Sequence, residues 1–151
     1  MECTWFGLDE INSNEIKYVV MIAEYQNQLI IIRNKLRQQW ELPGGKREKN
    51  EDLIQAASRE LYEETGAVQF ELTPFAVYLM NGSYGMMFFV KVTELYELPS
   101  YEIEEIMLVA QLPENLLYGP VYYDMYAKWL DAKKLNLRSY VINYNDSVPI
   151  N

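Results

Sequence analysis

Histidine is absent from the 151-residue sequence, and cysteine occurs once, at Cys3. The absence of histidine excludes serine–histidine catalytic triads, histidine general bases and most zinc sites. Any proton transfer must therefore use carboxylates, lysine, tyrosine or water activated by a metal. A single cysteine excludes an internal disulfide and suits a reducing compartment, so we expect a cytoplasmic protein.

Long apolar runs are also missing. The longest of them, residues 18–23 and 86–90, are too short to span a bilayer, and the first ten residues lack the pattern of a secretory signal. Acidic residues outnumber basic ones, 22 to 13, which gives a net charge of −9. This charge argues against a broad surface for nucleic acid. We therefore expect no membrane contact and no DNA binding, and both a monomer and a homodimer stay open.

The sequence does contain a concentration of glutamates in residues 45–67, GKREKNEDLIQAASRELYEETGA. Residues 55–65 carry good helix formers without proline or glycine, so they predict a helix with Asn50 as its N-cap and Gly66 at its end. At about 100° per residue, Glu60, Glu63 and Glu64 share one arc of that helix. Four apolar residues form the adjoining arc that would pack on a sheet: Leu53, Ile54, Ala57 and Leu61.

Three carboxylates crowded at the edge of a buried face repel one another unless a cation compensates. The donors are hard oxygens, which suit Mg²⁺ or Mn²⁺ and disfavour zinc. Arg59 lies one turn before Glu63 and could orient or partly neutralise the cluster. The sequence therefore predicts a magnesium or manganese site on this helix.

The same segment matches a specific spacing: a glycine, a glutamate six positions later, then Arg-Glu-Leu, two further glutamates and a final glycine. This pattern resembles the Nudix box, G-x5-E-x7-R-E-U-x-E-E-x-G-U, with Ala67 in the place of a larger aliphatic residue. The resemblance implies a Nudix hydrolase, which cleaves diphosphate linkages with divalent metal ions. It implies catalytic roles for Arg59, Glu60, Glu63 and Glu64. Glu51 would either help to hold a metal through water or begin the helix favourably.

Residues beyond the helix complete the site that the resemblance implies. Gly44, in the segment Leu-Pro-Gly-Gly, would offer a backbone carbonyl to the metal, with Glu60, Glu63, Glu64 and a later carboxylate as the other ligands. The candidates for the later carboxylate are Glu102, Glu104 and Glu105, and counting back from Leu112-Pro113 favours Glu102. The general base would be Glu60 first and Glu102 second. Gly45 would bind substrate, since paired glycines allow a close backbone approach and a positive φ.

The rest of the chain predicts one domain, residues 1–151, of the α/β class. Two strand pairs are expected, residues 17–24 with 28–33 and residues 68–78 with 83–92, the second around an Asn81-Gly82 turn. Short strands are expected at 40–42 and 106–110, and a helix at 122–134 with Tyr126, Ala127 and Leu130 on one side. This order suggests an α/β/α sandwich around a mixed β-sheet, which is the Nudix fold. Residues 135–151 would form a C-terminal arm, an extra strand or a disordered tail.

The substrate is less specified than the reaction. In Nudix enzymes a tyrosine shortly after the box is associated with dinucleoside polyphosphates, and Tyr84 falls in that window. The compact length resembles MutT-like pyrophosphohydrolases, which act on nucleoside triphosphates, oxidised purine nucleotides or triphosphorylated RNA 5′ ends. We therefore expect cleavage of a nucleoside triphosphate or related nucleotide. The alternative is a nucleotide-sensing module without activity, although none of the box glutamates is lost.

Overall fold

The computed structural model describes residues 2–144 of the chain. Within them, nine strands and two α-helices follow one another along the chain. The strands are β1 (Thr4–Phe6), β2 (Ile16–Tyr25), β3 (Gln28–Asn34), β4 (Trp40–Glu41), β5 (Gly44–Lys46), β6 (Ala67–Met80), β7 (Ser83–Leu95), β8 (Ile103–Val109) and β9 (Tyr140–Asn143). The helices are α1 (Leu53–Thr65), between β5 and β6, and α2 (Pro120–Ala132), between β8 and β9.

The strands form one mixed sheet with a helix on each face. Its main order is β1-β6-β7-β2-β3-β4, with β5 beside β2, β8 beside β3 and β9 beside β6. The pair β2–β7 is parallel, and the other pairs are antiparallel. Buried residues alternate between two cores, one containing Leu61 of α1 and the other Met125 of α2. The expected α/β/α sandwich around a mixed sheet is confirmed.

Both predicted strand pairs form, but the first is only partly a hairpin. The turn at Asn81 and Gly82 has φ values of 51° and 77°, as a tight hairpin requires, and β6 pairs with β7 along its length. By contrast, β2 and β3 pair only at Glu24–Leu29 and Tyr25–Gln28. Nearer its start β2 pairs with β5 at residues 18–20 instead of with β3, whereas β7 pairs with β2 along the whole length of β2.

Helix α1 has a different N-cap from the one predicted. The cap is Asp52, not Asn50, because Asp52 and Gln55 form a reciprocal capping box. The Asp52 carboxylate accepts the Gln55 N–H at 2.7 Å, and the Gln55 side chain accepts the Asp52 N–H at 2.9 Å. The helix ends at Gly66, which has a φ of 84°, as predicted. These two ends fix which side chains of the helix face the sheet.

Helix α2 differs from its prediction in bounds and in orientation. It runs from Pro120 to Ala132, and its buried residues are Val121, Tyr122, Met125 and Ala132. The prediction that Tyr126, Ala127 and Leu130 form the packing side is wrong, since Ala127 and Leu130 are exposed. Apolar residues occur on nearly every side of this segment, so periodicity alone does not select one face.

The segment after α2 contains the added strand β9. Residues Tyr140–Asn143 pair with residues 69–72 of β6 in antiparallel register. The remainder of the predicted arm, residues 145–151, lies outside the described residues. Among residues 2–144, neither helix combines the length and the apolar character that a membrane span would need.

Candidate active site

Successive turns of α1 present charged side chains to a cavity of about 250 Å³ beside the sheet. Arg59, Glu60, Glu63 and Glu64 from the helix meet the loop before β8 there. The other lining residues are Glu48, Tyr101 and Glu102. The structure thus brings together five predicted residues that lie up to 43 positions apart, Arg59 to Glu102, and we call this space the acidic cavity.

Arg59 organises the carboxylates around that cavity. Its Nε and Nη2 donate to the two carboxylate oxygens of Glu51 at 2.6 and 3.0 Å. Its Nη1 donates to Glu60 at 2.9 Å and to Glu63 at 3.2 Å. Its Nη2 also donates to the Lys46 carbonyl at 3.1 Å, which ties the helix to β5. The geometry assigns Arg59 an orienting position, as the sequence suggested.

Glu51 neither caps the helix nor lines the acidic cavity. Its carboxylate receives the Arg59 fork and also accepts the backbone N–H of Glu48 at 2.8 Å. The Arg59 hydrogen bond lowers the pKa of Glu51. A bidentate pair of this kind is the strongest way to hold a guanidinium in one place. Glu51 therefore positions Arg59, which in turn positions Glu60 and Glu63.

Glu64 is not among the hydrogen-bond partners of Arg59 within residues 2–144, and it is almost entirely buried, with 7% of its surface exposed. One of its oxygens accepts the backbone N–H of Gly44 at 2.8 Å. Burial raises the pKa of Glu64 to about 9, and the neighbouring carboxylates of Glu60 and Glu41 add to the effect. A buried carboxyl group with one hydrogen bond and anionic neighbours is destabilised as an anion.

Glu60 occupies the middle of the cluster. Burial raises the pKa of Glu60 to about 7, although the hydrogen bond from Arg59 acts in the opposite direction. The charges of Glu63 and Glu102 contribute to the increase. A carboxylate with a pKa near neutrality can both accept and release a proton at physiological pH. The cavity thus contains two glutamates whose negative charge is poorly compensated by protein groups.

The glycines of β5 contribute space rather than unusual backbone angles. The prediction of positive φ at this loop is wrong, because Gly44 and Gly45 are in a strand paired with β2. A Cβ on Gly45 would overlap the carboxylate of Glu60, and one on Gly44 would come within 2.5 Å of the Val19 carbonyl oxygen. Glycine is required here because the helix carboxylates lie directly against the strand backbone.

The chemistry of the cavity fits a hard divalent cation. Five carboxylates and one guanidinium line it, so oxygen donors and negative charge are both in excess. Among residues 2–144, no three His, Cys, Asp or Glu side chains are already gathered into a coordination sphere. The side chains of Glu60 and Glu63 are instead hydrogen-bonded to Arg59. The donor types therefore fit Mg²⁺ or Mn²⁺, and in the described conformation one Arg59 nitrogen is the shared partner of Glu60 and Glu63.

A second cavity, of about 410 Å³, lies against β5 as well, and we call it the aromatic cavity. Four tyrosines line it: Tyr18, Tyr78, Tyr118 and Tyr122. At its wall Arg37 donates to both oxygens of Glu41, at 2.8 and 2.9 Å. Gly44 and Gly45 belong to its lining, so the glycine strand separates the two cavities. The sequence did not predict the four tyrosines or the Arg37–Glu41 pair as site residues. The one signal for them was the surplus of tyrosine, 13 in the chain.

Tyr84, the predicted substrate-binding tyrosine, lies in neither cavity. Its ring packs edge-to-face on Phe6, with 5.9 Å between the ring centres, against the core that contains α1. The backbone of Tyr84 is paired with Ile16 of β2. A contact between Tyr84 and substrate therefore has no support in this geometry, whereas Gly45 lies directly beside Glu60.

Comparison with known proteins gives one consistent family. The NUDIX domain model matches residues 13–129. Two curated relatives match over short segments that span 11% and 25% of their own lengths. The second is an RNA pyrophosphohydrolase from Bartonella henselae, 48% identical over 44 residues, or 29% of this chain.

Solved structures extend the likeness to most of the fold. A pyrophosphohydrolase from Bacillus subtilis has a TM-score of 0.68 and 21% identity, covering 85% of this chain and 90% of that one. A NUDIX hydrolase from Nitrosomonas europaea has a TM-score of 0.66 and 26% identity, covering 82% of this chain and 75% of that one. At these identities the comparison concerns mainly the path of the backbone.

Proposed function

The chain belongs to the Nudix family, and from that premise we propose that it is a metal-dependent hydrolase of diphosphate linkages. Its substrate is a nucleoside triphosphate or a related nucleotide, including oxidised purine nucleotides, and its cofactor is Mg²⁺ or Mn²⁺. It acts in the cytoplasm as a monomer or homodimer and binds neither DNA nor a membrane. The observation that carries the proposal is that the glycine strand adjoins both cavities: Gly44 and Gly45 line the aromatic cavity and contact Glu64 and Glu60 of the acidic cavity.

A nucleotide matches this pair of cavities in size and in chemistry. Tyrosine rings offer flat faces for a nucleobase and hydroxyl groups for a sugar, so the aromatic cavity suits the nucleoside. The glycine strand adjoins both cavities, because Gly44 and Gly45 line the aromatic cavity while their backbone contacts Glu64 and Glu60 of the acidic cavity. The diphosphate then reaches Glu60, Glu63 and Glu64. The geometry supports a nucleotide better than it supports a purely apolar ligand.

A divalent cation held by Glu60, Glu63, Glu64, Glu102 and the Gly44 backbone would neutralise phosphate charge and polarise the reacting phosphorus. The chain supplies the remaining parts of the reaction. Arg59 keeps the glutamates in register, and the Gly44 N–H fixes the direction of Glu64.

Water attack on phosphorus requires a group that accepts the proton of the water. Glu60 is the first choice, because the pKa of Glu60, about 7, suits a base that works near neutral pH. Glu102 is the second choice, since it faces the same cavity from the loop before β8. The bond from the attacked phosphorus to the bridging oxygen breaks as the new phosphorus–oxygen bond forms.

One second substrate has a specific observation in its favour. The likeness to an RNA pyrophosphohydrolase over 44 residues supports triphosphorylated RNA 5′ ends. These ends carry the same triphosphate as a free nucleotide, so the acidic cavity would treat both alike. Dinucleoside polyphosphates are less favoured, because their support came from Tyr84, which packs on Phe6.

The test is to incubate pure protein and Mg²⁺ with nucleoside triphosphates, oxidised purine nucleotides, dinucleoside polyphosphates and triphosphorylated RNA, and to identify the products. Release of pyrophosphate or phosphate by the wild type supports the proposal. Glu64→Gln should be inactive on the same panel, whereas Glu114→Gln, an exposed residue of the loop before α2, should match the wild type. Nucleotide binding without any hydrolysis would instead identify a sensor.

A further inference from the structure

The surface beside the acidic cavity carries a concentration of positive charge. Lys17 projects from β2, and Arg47 and Lys49 follow β5 in the chain. They line a shallow cavity of about 410 Å³ together with Asn14, Glu48, Asn50 and Glu51. We propose that this basic patch, Lys17, Arg47 and Lys49, binds the phosphates of the substrate that lie beyond the scissile linkage. The inference rests on the proposed function and specifies its substrate as a chain of three or more phosphates.

Two members of the basic patch face each other across neighbouring strands. The Arg47 N–H donates to the Lys17 carbonyl at 2.8 Å, which continues the pairing of Tyr18 with Lys46 by one residue. Side chains in such opposite positions project on the same side of the sheet, and like charges there destabilise the pair. An anion bound between them removes the repulsion. The repulsion between Lys17 and Arg47 destabilises the free protein, and a phosphate bound between them would relieve it.

The cations of the basic patch lie outside the ion-pair network around Arg59. Within residues 2–144, none of its three members forms an ion pair. The acidic residues of the same cavity, Glu48 and Glu51, are paired with Arg59 instead. One edge of the Arg47 guanidinium is anchored, since Nη2 donates to the Asn14 carbonyl at 3.1 Å. An anchored guanidinium with free donors is well suited to a phosphate group.

The basic patch adjoins the site of reaction. Glu48 lines both the acidic cavity and the shallow cavity that contains the basic patch. The Lys46 carbonyl, between Gly45 and Arg47 in the chain, accepts a hydrogen bond from Arg59 at 3.1 Å. A phosphate chain that leaves the glutamates along β5 therefore passes directly from negative to positive surroundings. In a protein with a net charge of −9, this patch offsets the repulsion of the substrate.

The position of the basic patch predicts a preference for longer phosphate chains. A nucleoside triphosphate or a triphosphorylated RNA end has a third, terminal phosphate to place there, whereas a diphosphate-linked compound has only the two phosphates that the scissile bond joins. The patch therefore acts on KM and on the choice of substrate. It makes no contact with the phosphorus that reacts, so kcat depends on the glutamates.

The test compares Lys17→Gln/Arg47→Gln with Lys133→Gln/Lys134→Gln. The control pair removes the same charge from the exposed end of α2. The first measurement is the binding of inorganic tripolyphosphate in the presence of Mg²⁺ by titration calorimetry, which needs no catalysis. The second is KM and kcat for a nucleoside triphosphate and for a nucleoside diphosphate sugar.

The Lys17→Gln/Arg47→Gln variant should bind tripolyphosphate at least about tenfold more weakly and raise KM for the triphosphate by a similar factor. Its kcat, and its KM for the diphosphate sugar, should stay within about twofold of the wild type. The proposal is overturned if Lys133→Gln/Lys134→Gln weakens tripolyphosphate binding equally, or if Lys17→Gln/Arg47→Gln leaves that binding unchanged. A wild type that binds tripolyphosphate through the patch but hydrolyses nothing overturns the proposed function alone.

Discussion

The acidic and the aromatic cavities lie on two sides of one short strand, and they differ in how their polar groups are satisfied. In the acidic cavity, Arg59 hydrogen-bonds Glu60 and Glu63, and within residues 2–144 the Gly44 N–H is the one hydrogen-bond partner of the Glu64 carboxylate. In the aromatic cavity, the charged pair Arg37–Glu41 is complete in itself, and tyrosine rings supply most of the remaining wall. One cavity is short of positive charge, and the charges of the other are balanced.

This difference indicates a division of work between reaction and recognition. A cavity with uncompensated carboxylates binds a cation and stabilises charge that develops during a reaction, so changes there should lower kcat. An aromatic cavity with balanced charges discriminates by shape and stacking, so changes there should raise KM. If the division holds, substitutions in the acidic cavity change kcat and substitutions in the aromatic cavity change KM.

The largest expected effect comes from removing one charge from the acidic cavity. Glu63→Gln and Glu64→Gln should each reduce turnover to near the assay background, because several kcal/mol of stabilisation of the transition state are lost. The fold should stay intact, since the carboxamide oxygen introduced by Glu64→Gln can still accept the Gly44 N–H. Steady-state rates measure the loss of turnover, and thermal midpoints without metal measure whether the fold is retained. Near-normal turnover in either variant would contradict the division.

The next effect distinguishes the base from the other carboxylates. If Glu60 takes the proton, Glu60→Gln should lower kcat by about 10²–10⁴ with little change in nucleotide affinity. Glu102→Gln would then mainly weaken metal binding. The reverse result exchanges the two roles, and wild-type rates in both variants show that neither residue is the base. Rates at saturating Mg²⁺ and calorimetric metal affinities separate these outcomes.

The two cavities also differ in how far the sequence could predict them. The acidic cavity takes most of its residues from positions 48–64, where helical spacing converts the order of residues into a shared face. The capping box of Asp52 and Gln55 was visible in the same stretch, but the prediction chose Asn50. The grouping of Glu60, Glu63 and Glu64 thus follows from local helix geometry, whereas the choice of Glu102 depended on the resemblance.

Long-range packing decided what the sequence could not show. The aromatic cavity gathers Tyr18, Tyr78 and the neighbours Tyr118 and Tyr122, and no local spacing relates the last two to Tyr18 or to Tyr78. The reason for Gly45 is the Glu60 carboxylate against its backbone, a contact that spans 15 positions. Tyr84 has the expected position in the chain, yet the direction of its strand turns it to Phe6. The lining of the aromatic cavity therefore depends on how the strands pair, and the Nudix motif does not predict it.

Metal binding should stabilise the acidic cavity specifically. Mg²⁺ or Mn²⁺ at a hundredfold excess over Kd should add about 2.7 kcal/mol to the free energy of unfolding, because the metal binds only the assembled glutamates. The Glu63→Gln/Glu64→Gln double variant should lose most of this gain, whereas Tyr118→Ala should keep it. Thermal midpoints with and without metal provide the measurement. If the double variant keeps the whole gain, the metal is bound elsewhere.

Without metal, the acidic cavity should make stability fall as the pH rises. The pKa values of Glu60 and Glu64, about 7 and about 9, lie above the ordinary value of 4.5, so the folded state retains protons that the unfolded chain has released. The free energy of unfolding should begin to fall near pH 5, fall more slowly above pH 7 and level off near pH 9. Each proton contributes a slope of up to about 1.4 kcal/mol per pH unit. Denaturant melts in EDTA measure it, and Glu60→Gln/Glu64→Gln should flatten the profile.

The smallest effect belongs to the aromatic cavity, where Tyr118 lies edge-to-face on Tyr122 with 5.6 Å between ring centres. Loss of a ring that stacks on a base costs about 1–3 kcal/mol, so Tyr118→Ala should raise KM for the nucleotide about tenfold or more while kcat stays within about twofold. Tyr118→Phe keeps the ring and should resemble the wild type. Tyr123 is a matched control, because both tyrosines are 40% exposed and Tyr123 is not in the cavity lining. A fall in kcat for Tyr118→Ala, or an equal rise in KM for Tyr123→Ala, would show that recognition and reaction are not divided between the two cavities.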